Sequence, residues 1–102
     1  MRIKIHRKAS EMLQSVTDYY AEVGGMKSVD NFLSIVREKS SWIQKFPNAG
    51  TPEPLLLGRK HFYRFVILNH NIKMVYYIES DVVHIAAFWD MRMNPENLKK
   101  KL

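Results

Sequence analysis

The chain has 102 residues, 46% apolar and 12% aromatic: enough for one domain around one core, and too hydrophobic for a disordered segment. No apolar run approaches the roughly 20 residues that cross a bilayer, and the absence of cysteine excludes disulfides, a cysteine nucleophile and thiolate metal sites. The net charge of +6 is uneven, since residues 1–8 and 59–102 are strongly basic while residues 9–58 are mildly acidic, a layout that suits a polyanion or an acidic protein partner.

Arg2–His6 alternates charged residues with Ile3 and Ile5, which predicts a short strand with one face buried. It has none of the long apolar stretch of a secretory signal, so the expected address is the cytoplasm. From Ala9 to Val23 the period changes. Ala9, Leu13, Val16, Tyr20 and Val23 make one stripe of a helix, widened by Met12 and Tyr19, and Gly24-Gly25 is a helix stop. Ser28 is the expected N-cap of a second helix reaching Phe46, with Val29, Leu33, Val36, Ser40 and Ile43 on its apolar stripe. Pro47 and Gly50 close it. So short a connector predicts an antiparallel helical hairpin.

Thr51-Pro52-Glu53-Pro54 is held extended by its prolines, and at least one of Leu55, Leu56 and Leu57 should plug the edge of the core. Three runs rich in Val, Ile, Phe and Tyr follow, at Arg59–Leu68, Ile72–Ile78 and Val82–Trp89. The turns between them are Asn69-His70-Asn71 and Glu79-Ser80-Asp81, which is the signal of an antiparallel meander. Residues 96–102 form a polar basic tail after Pro95, carrying Leu98 and Leu102. The order βααβββ predicts one α+β domain over residues 1–102. In it an N-terminal helical hairpin covers one face of a four-stranded antiparallel sheet. The other face is not properly polar. Two covers would suit it: a partner chain, or the chain's own tail and the Leu55–Leu57 loop.

The ordered set of features resembles the RelE/ParE superfamily of toxins from bacterial type II toxin–antitoxin pairs. The set comprises the opening strand followed by Ala9, Asp18-Tyr19-Tyr20 before Gly24-Gly25, and Phe46-Pro47-Asn48-Ala49-Gly50. It continues with the arginine-led strand at Arg59, the Tyr76-Tyr77 strand, and Arg92-x-x-Pro95 after the last strand. The resemblance implies a toxin that arrests growth until an acidic, partly disordered antitoxin wraps it, and that can form a homodimer when unpaired. It implies no cofactor, no metal and no membrane attachment. For the target it implies either DNA gyrase, inhibited by binding as ParE-like members do, or mRNA on the ribosome, cut as RelE-like members do. Many relatives end in a pattern like His-x-Arg-Arg-Asp-Pro, whereas this chain reads Asp90-Met91-Arg92-Met93-Asn94-Pro95. Asp90 stands at the histidine position and Met93 at the second arginine. These departures favour gyrase inhibition. A non-toxic binding module on the same fold is the third alternative.

Metal-free RNA cleavage needs a base, an acid and cations on the phosphate. Arg59, Lys60, Arg64 and Arg92 are the candidate cations, Asp90 the candidate base, and His84, His61 or Tyr77 the candidate donors. Arg64, Asp90 and Arg92 are thus the expected catalytic set if the protein is an endoribonuclease. Arg59, Lys60, Arg64, Tyr77 and Arg92 are the expected binding set for either target. Strand alternation leaves at most one of Tyr76 and Tyr77 outside the core.

Overall fold

The computed structural model describes residues 1–102. Strand β1 (Arg2–Ile5) leads into helix α1 (Arg7–Lys45), and a two-residue strand β2 (Thr51–Pro52) precedes a 3-10 turn at Pro54–Leu56. Strands β3 (Arg64–Ile67), β4 (Ile72–Glu79) and β5 (Val82–Asp90) and helix α2 (Pro95–Lys101) complete the chain. The sheet has five strands, in the order β1-β5-β4-β3-β2, not four. The fifth is β2, whose two residues pair with Phe65 and Arg64. The sheet is mixed, because β1 runs parallel to β5 with Ile3 opposite Val83 and Ile5 opposite Ile85.

The two expected helical arms are present but no loop separates them: the run α1 is two helices that meet directly at Gly25, its one residue with non-helical backbone angles. Ser28 does not cap anything there; its hydroxyl donates to the Gly24 carbonyl. Gly25 has φ 73° and ψ −174°, a combination that only glycine adopts without strain. The bend there is sharp. A straight helix of 39 residues would be about 58 Å long, and the molecule spans 38 Å at most. Moreover, the Gln44 amide donates to the carbonyl of Met1, so the end of α1 has come back beside its beginning. Both arms feed one core: Ala9, Leu13, Val16 and Tyr20 from the first, and Phe32, Val36 and Ile43 from the second. Val23, read as part of the first apolar stripe, lies exposed, as do Trp42 and Phe46 at the end of the second arm and Ile5 of β1.

The β4–β5 hairpin turns through Ser80 and Asp81, both with positive φ, the two-residue turn whose twist matches that of paired strands. On β4 the alternation is strict. Met74, Tyr76 and Ile78 face the helices, and Val75 and Tyr77 face away. On β5 it is not, because the register slips between Val75 and Tyr76. Ala86 and Ala87 therefore both point away from the helices, and the slip returns Phe88 to the helical face and Trp89 to the other. The predicted strand Arg59–Leu68 shrinks to Arg64–Ile67. Before Arg64 the pairing with β4 stops, while the Tyr63 carbonyl still accepts from the Glu53 amide on the β2 side, and His61 stacks on Tyr77.

The second face is covered by the chain itself. Leu98 of α2 and Leu56 of the 3-10 turn close over Val75, Ala87 and Trp89, and Leu98 is fully buried. Beneath them Glu53 and Lys73 form a buried ion pair with Nζ–Oε2 2.6 Å, and the Lys73 ammonium lies over the Phe65 ring. The close of α1 is pinned by Tyr76, whose buried hydroxyl donates to the Pro47 carbonyl and accepts from the Gly50 amide. A Cβ on Gly50 would collide with that ring, so the Pro-x-x-Gly stop also makes room for the tyrosine.

Candidate functional site

The residues singled out for function separate to different parts of the sheet. Asp90 ends β5 opposite Ile72, and the chain turns at once so that Arg92 folds back on it. The guanidinium grips the carboxylate in a fork, Nε–Oδ1 3.0 Å and Nη2–Oδ2 2.7 Å, while the Arg92 amide donates to Oδ1 at 2.9 Å. Those hydrogen bonds hold the Asp90 carboxyl below its usual range and raise Arg92 in turn. Asp90 is an ionised acceptor already filled, which makes it a poor base. Beside the pair opens an apolar cleft of about 360 Å³ between the first arm of α1 and the end of β5, lined by Met12, Val16, Tyr19, Tyr20, Trp89 and Met93.

Arg64 is elsewhere. It starts β3 opposite Tyr76, which in turn faces Ile85. That position is five residues along β5 from Asp90 and one strand beyond β4, hence more than about 15 Å away. Its guanidinium donates to the Gly50 carbonyl at 2.9 Å and lies over the Phe62 ring. Arg64 and Arg92 therefore share no site, and each has an internal partner. Arg59 donates to the Lys99 carbonyl at 2.8 Å, tying the loop before β3 to α2, and Lys60 is exposed.

Tyr77 does sit in a cluster of titratable groups, at the opposite end of β5 from Asp90. Its ring is sandwiched between those of His61, 3.8 Å away, and His84, 4.8 Å away, both nearly parallel to it. Burial, followed by the neighbouring Tyr63 and Glu79, raises the Tyr77 hydroxyl, so it stays a proton donor. His61 pairs with the Glu79 carboxylate at 3.0 Å. His84 places Nε2 3.2 Å from the Glu79 carbonyl, which can only accept; Nε2 thus carries the proton and Nδ1 is the acceptor. Into that Nδ1 points His6 Nε2, at 2.9 Å. His6 went unnoticed in the sequence because it meets His84 only through the parallel pairing of β1 with β5, where Lys4 lies opposite His84. Desolvation, then the adjacent His84, Lys4 and His61, lowers its pKa. No three His, Asp or Glu residues are arranged to hold a metal ion, and no helix is long and apolar enough to cross a membrane.

This architecture is shared with solved toxins. A structure described as a chromosomal ParDE toxin–antitoxin system from P. aeruginosa superposes with a TM-score of 0.71 at 19% identity, covering 88% of this chain and 95% of that one. A YoeB/ParE toxin from Agrobacterium tumefaciens gives 0.60 at 12% identity, over 88% and 98% of the two chains. The YoeB dimer from Staphylococcus aureus gives 0.56 at 19% identity, over 87% and 94%. Among curated proteins, none matches the chain. At these identities the structures establish the fold. The family is established by sequence, since the profile described as the ParE toxin of the type II toxin–antitoxin system parDE matches residues 3–95. The chain belongs to the ParE toxin family.

Proposed function

We propose that this toxin arrests growth by binding DNA gyrase, and that a co-encoded acidic antitoxin silences it. The observation that carries the preference for binding over hydrolysis is the Asp90–Arg92 fork. The group at the position of the superfamily's histidine is an occupied carboxylate, and Arg64 is committed to the Gly50 carbonyl. Base and cations for cutting RNA are not gathered where the sequence expected them. The ion pair and the apolar cleft beside it instead make a surface for a protein segment, hydrophobic at the centre and polar at the rim. We assign the antitoxin to this cleft in preference to the second face of the sheet, whose apolar centre α2 and Leu56 already cover.

RelE-type cleavage of ribosome-bound mRNA is the second reading, and one observation favours it. His61, Tyr77 and His84 are acid–base groups gathered in a single stack. Inducing the protein without its antitoxin, while following mRNA integrity and plasmid supercoiling together, separates the two. Altered supercoiling with intact transcripts is expected; shortened transcripts with normal supercoiling would establish the ribonuclease. Arg92→Ala, at an exposed position, should relieve growth arrest. Full arrest by that variant would remove the Asp90–Arg92 edge from the mechanism.

A further inference from the structure

The start of α1 and the end of α2 lie against the same patch of sheet, and an open cleft of about 380 Å³ lies between them. Six of its lining residues matter: His6, Arg7 and Lys8 from the β1–α1 junction, Tyr63 and Tyr77 from the sheet side, and Lys101 from α2. No Asp or Glu side chain lines it. Of the carboxylates around it, Glu79 pairs with His61, and Glu11 pairs with Arg7 and also lines the adjoining hollow with Lys8 and Lys101. Lys8 and Lys101 pair with no carboxylate, and Lys8 reaches only the Lys101 carbonyl, at 3.5 Å. Like charges brought together from two chain ends repel, so the fold tolerates here a cost that an anion would remove.

We propose that this cleft is a binding site for a phosphate monoester, a ligand assigned to it by the convergence of Lys8 and Lys101, neither paired with a carboxylate, with Tyr63, Tyr77 and His6. A tetrahedral dianion matches two lysines approaching from different helices, and the phenols can donate to its remaining oxygens. The cleft is larger than a bare phosphate needs, and its floor of Tyr63, Tyr77 and Ala86 is aromatic and apolar, suited to an organic group on the ester. His6 adds a proton-linked donor. With Nε2–H engaged by His84, its Nδ1 is the ring nitrogen left without a partner, and on protonation it becomes a further donor to the anion. The charged and titratable groups around His6 are Lys4 on its own strand, Arg7 and Lys8 on α1, His84 on β5, Tyr77 and Glu79 on β4, His61 on the preceding loop, and Lys101 on α2. Lys101 also borders the cleft beside Asp90 and Arg92, and the phosphate site stands whichever target the toxin acts on.

Titration of the full chain with inorganic phosphate, followed by NMR of the imidazole resonances, tests this directly. Saturable shifts of His6 and His84 are expected. Lys8→Ala with Lys101→Ala should weaken the affinity by about tenfold, the scale of one charge-assisted hydrogen bond. Both lysines are exposed, so the fold should not suffer, and Lys27→Ala controls for net charge alone. Two further arms identify the source of the phosphate. Adenosine 5′-monophosphate binding as tightly as any oligonucleotide would indicate a free nucleotide. A 5′-phosphorylated RNA binding more tightly than its unphosphorylated twin would indicate a strand end. Absence of saturable shifts with both phosphate and adenosine monophosphate overturns the proposal. Equal weakening by Lys27→Ala overturns it as well, because the attraction would then be diffuse.

Discussion

Under α1, the sheet is closed mainly by apolar side chains: Phe32, Val36 and Ile43 meet Met74, Ile85 and Phe88. The polar groups there are single hydroxyls: that of Tyr76 satisfied by Pro47 and Gly50, that of Ser40 against Met74 Sδ, and that of Tyr20 accepting from Asn69. Under α2 the same sheet is closed over a smaller patch. Here more polar groups are let in: the Glu53–Lys73 pair at one side and the His6, His61, His84 and Tyr77 cluster at the other. Apolar area chiefly holds the first face, and burial of that kind tolerates little chemistry. The second face has less area and leans on directional contacts. Directional contacts are also what bind ligands, so the titratable cluster sits on the face that is less fully closed.

The contrast is sharpest at two buried positions. Phe32→Ala should cost about 3–5 kcal/mol, because the ring packs edge-on against Tyr20 and the cavity cannot refill. Urea unfolding measures it, and a loss below about 1 kcal/mol would mean the arms of α1 are less tightly joined than their packing implies. On the other face Lys73→Met should cost a similar amount, about 3–5 kcal/mol, by leaving the Glu53 carboxylate buried without its counter-charge. Adding Glu53→Leu should recover most of that loss. Phe32→Ala has no such rescue, and a double variant as unstable as Lys73→Met would erase the distinction between the faces.

Smaller effects probe the joints. Gly25→Ala forces a side chain into a backbone region that only glycine occupies freely, at a cost of about 1–3 kcal/mol in thermal or urea unfolding. The open space around that position rules out a clash as the cause. The smallest expected effect comes from pH. His6 binds its proton less readily in the folded protein than at the ordinary value of 6.5, so around that pH the unfolded chain holds more protons. Stability then rises with pH, and falls as the solution is acidified through the ordinary value of 6.5 towards the lower folded-state value. His6→Gln should flatten that slope in a melting series, and an unchanged slope would place the acid sensitivity elsewhere.

Local pattern carried a good part of this molecule. The strands at Ile72–Glu79 and Val82–Asp90, their tight turn, and the opposite fates of Tyr76 and Tyr77 follow from period-two alternation, which acts between neighbours in sequence. The glycine at which α1 folds back and the proline that starts α2 were legible for the same reason, since φ preferences are local. Tertiary structure alone decided the rest. The slip at Ala86-Ala87, the parallel seat of β1, the meeting of Glu53 with Lys73 and of His6 with His84, and the separation of Arg64 from Arg92 each join residues that no short-range pattern relates. They follow from where the buried faces come to rest, a property of the whole packed chain.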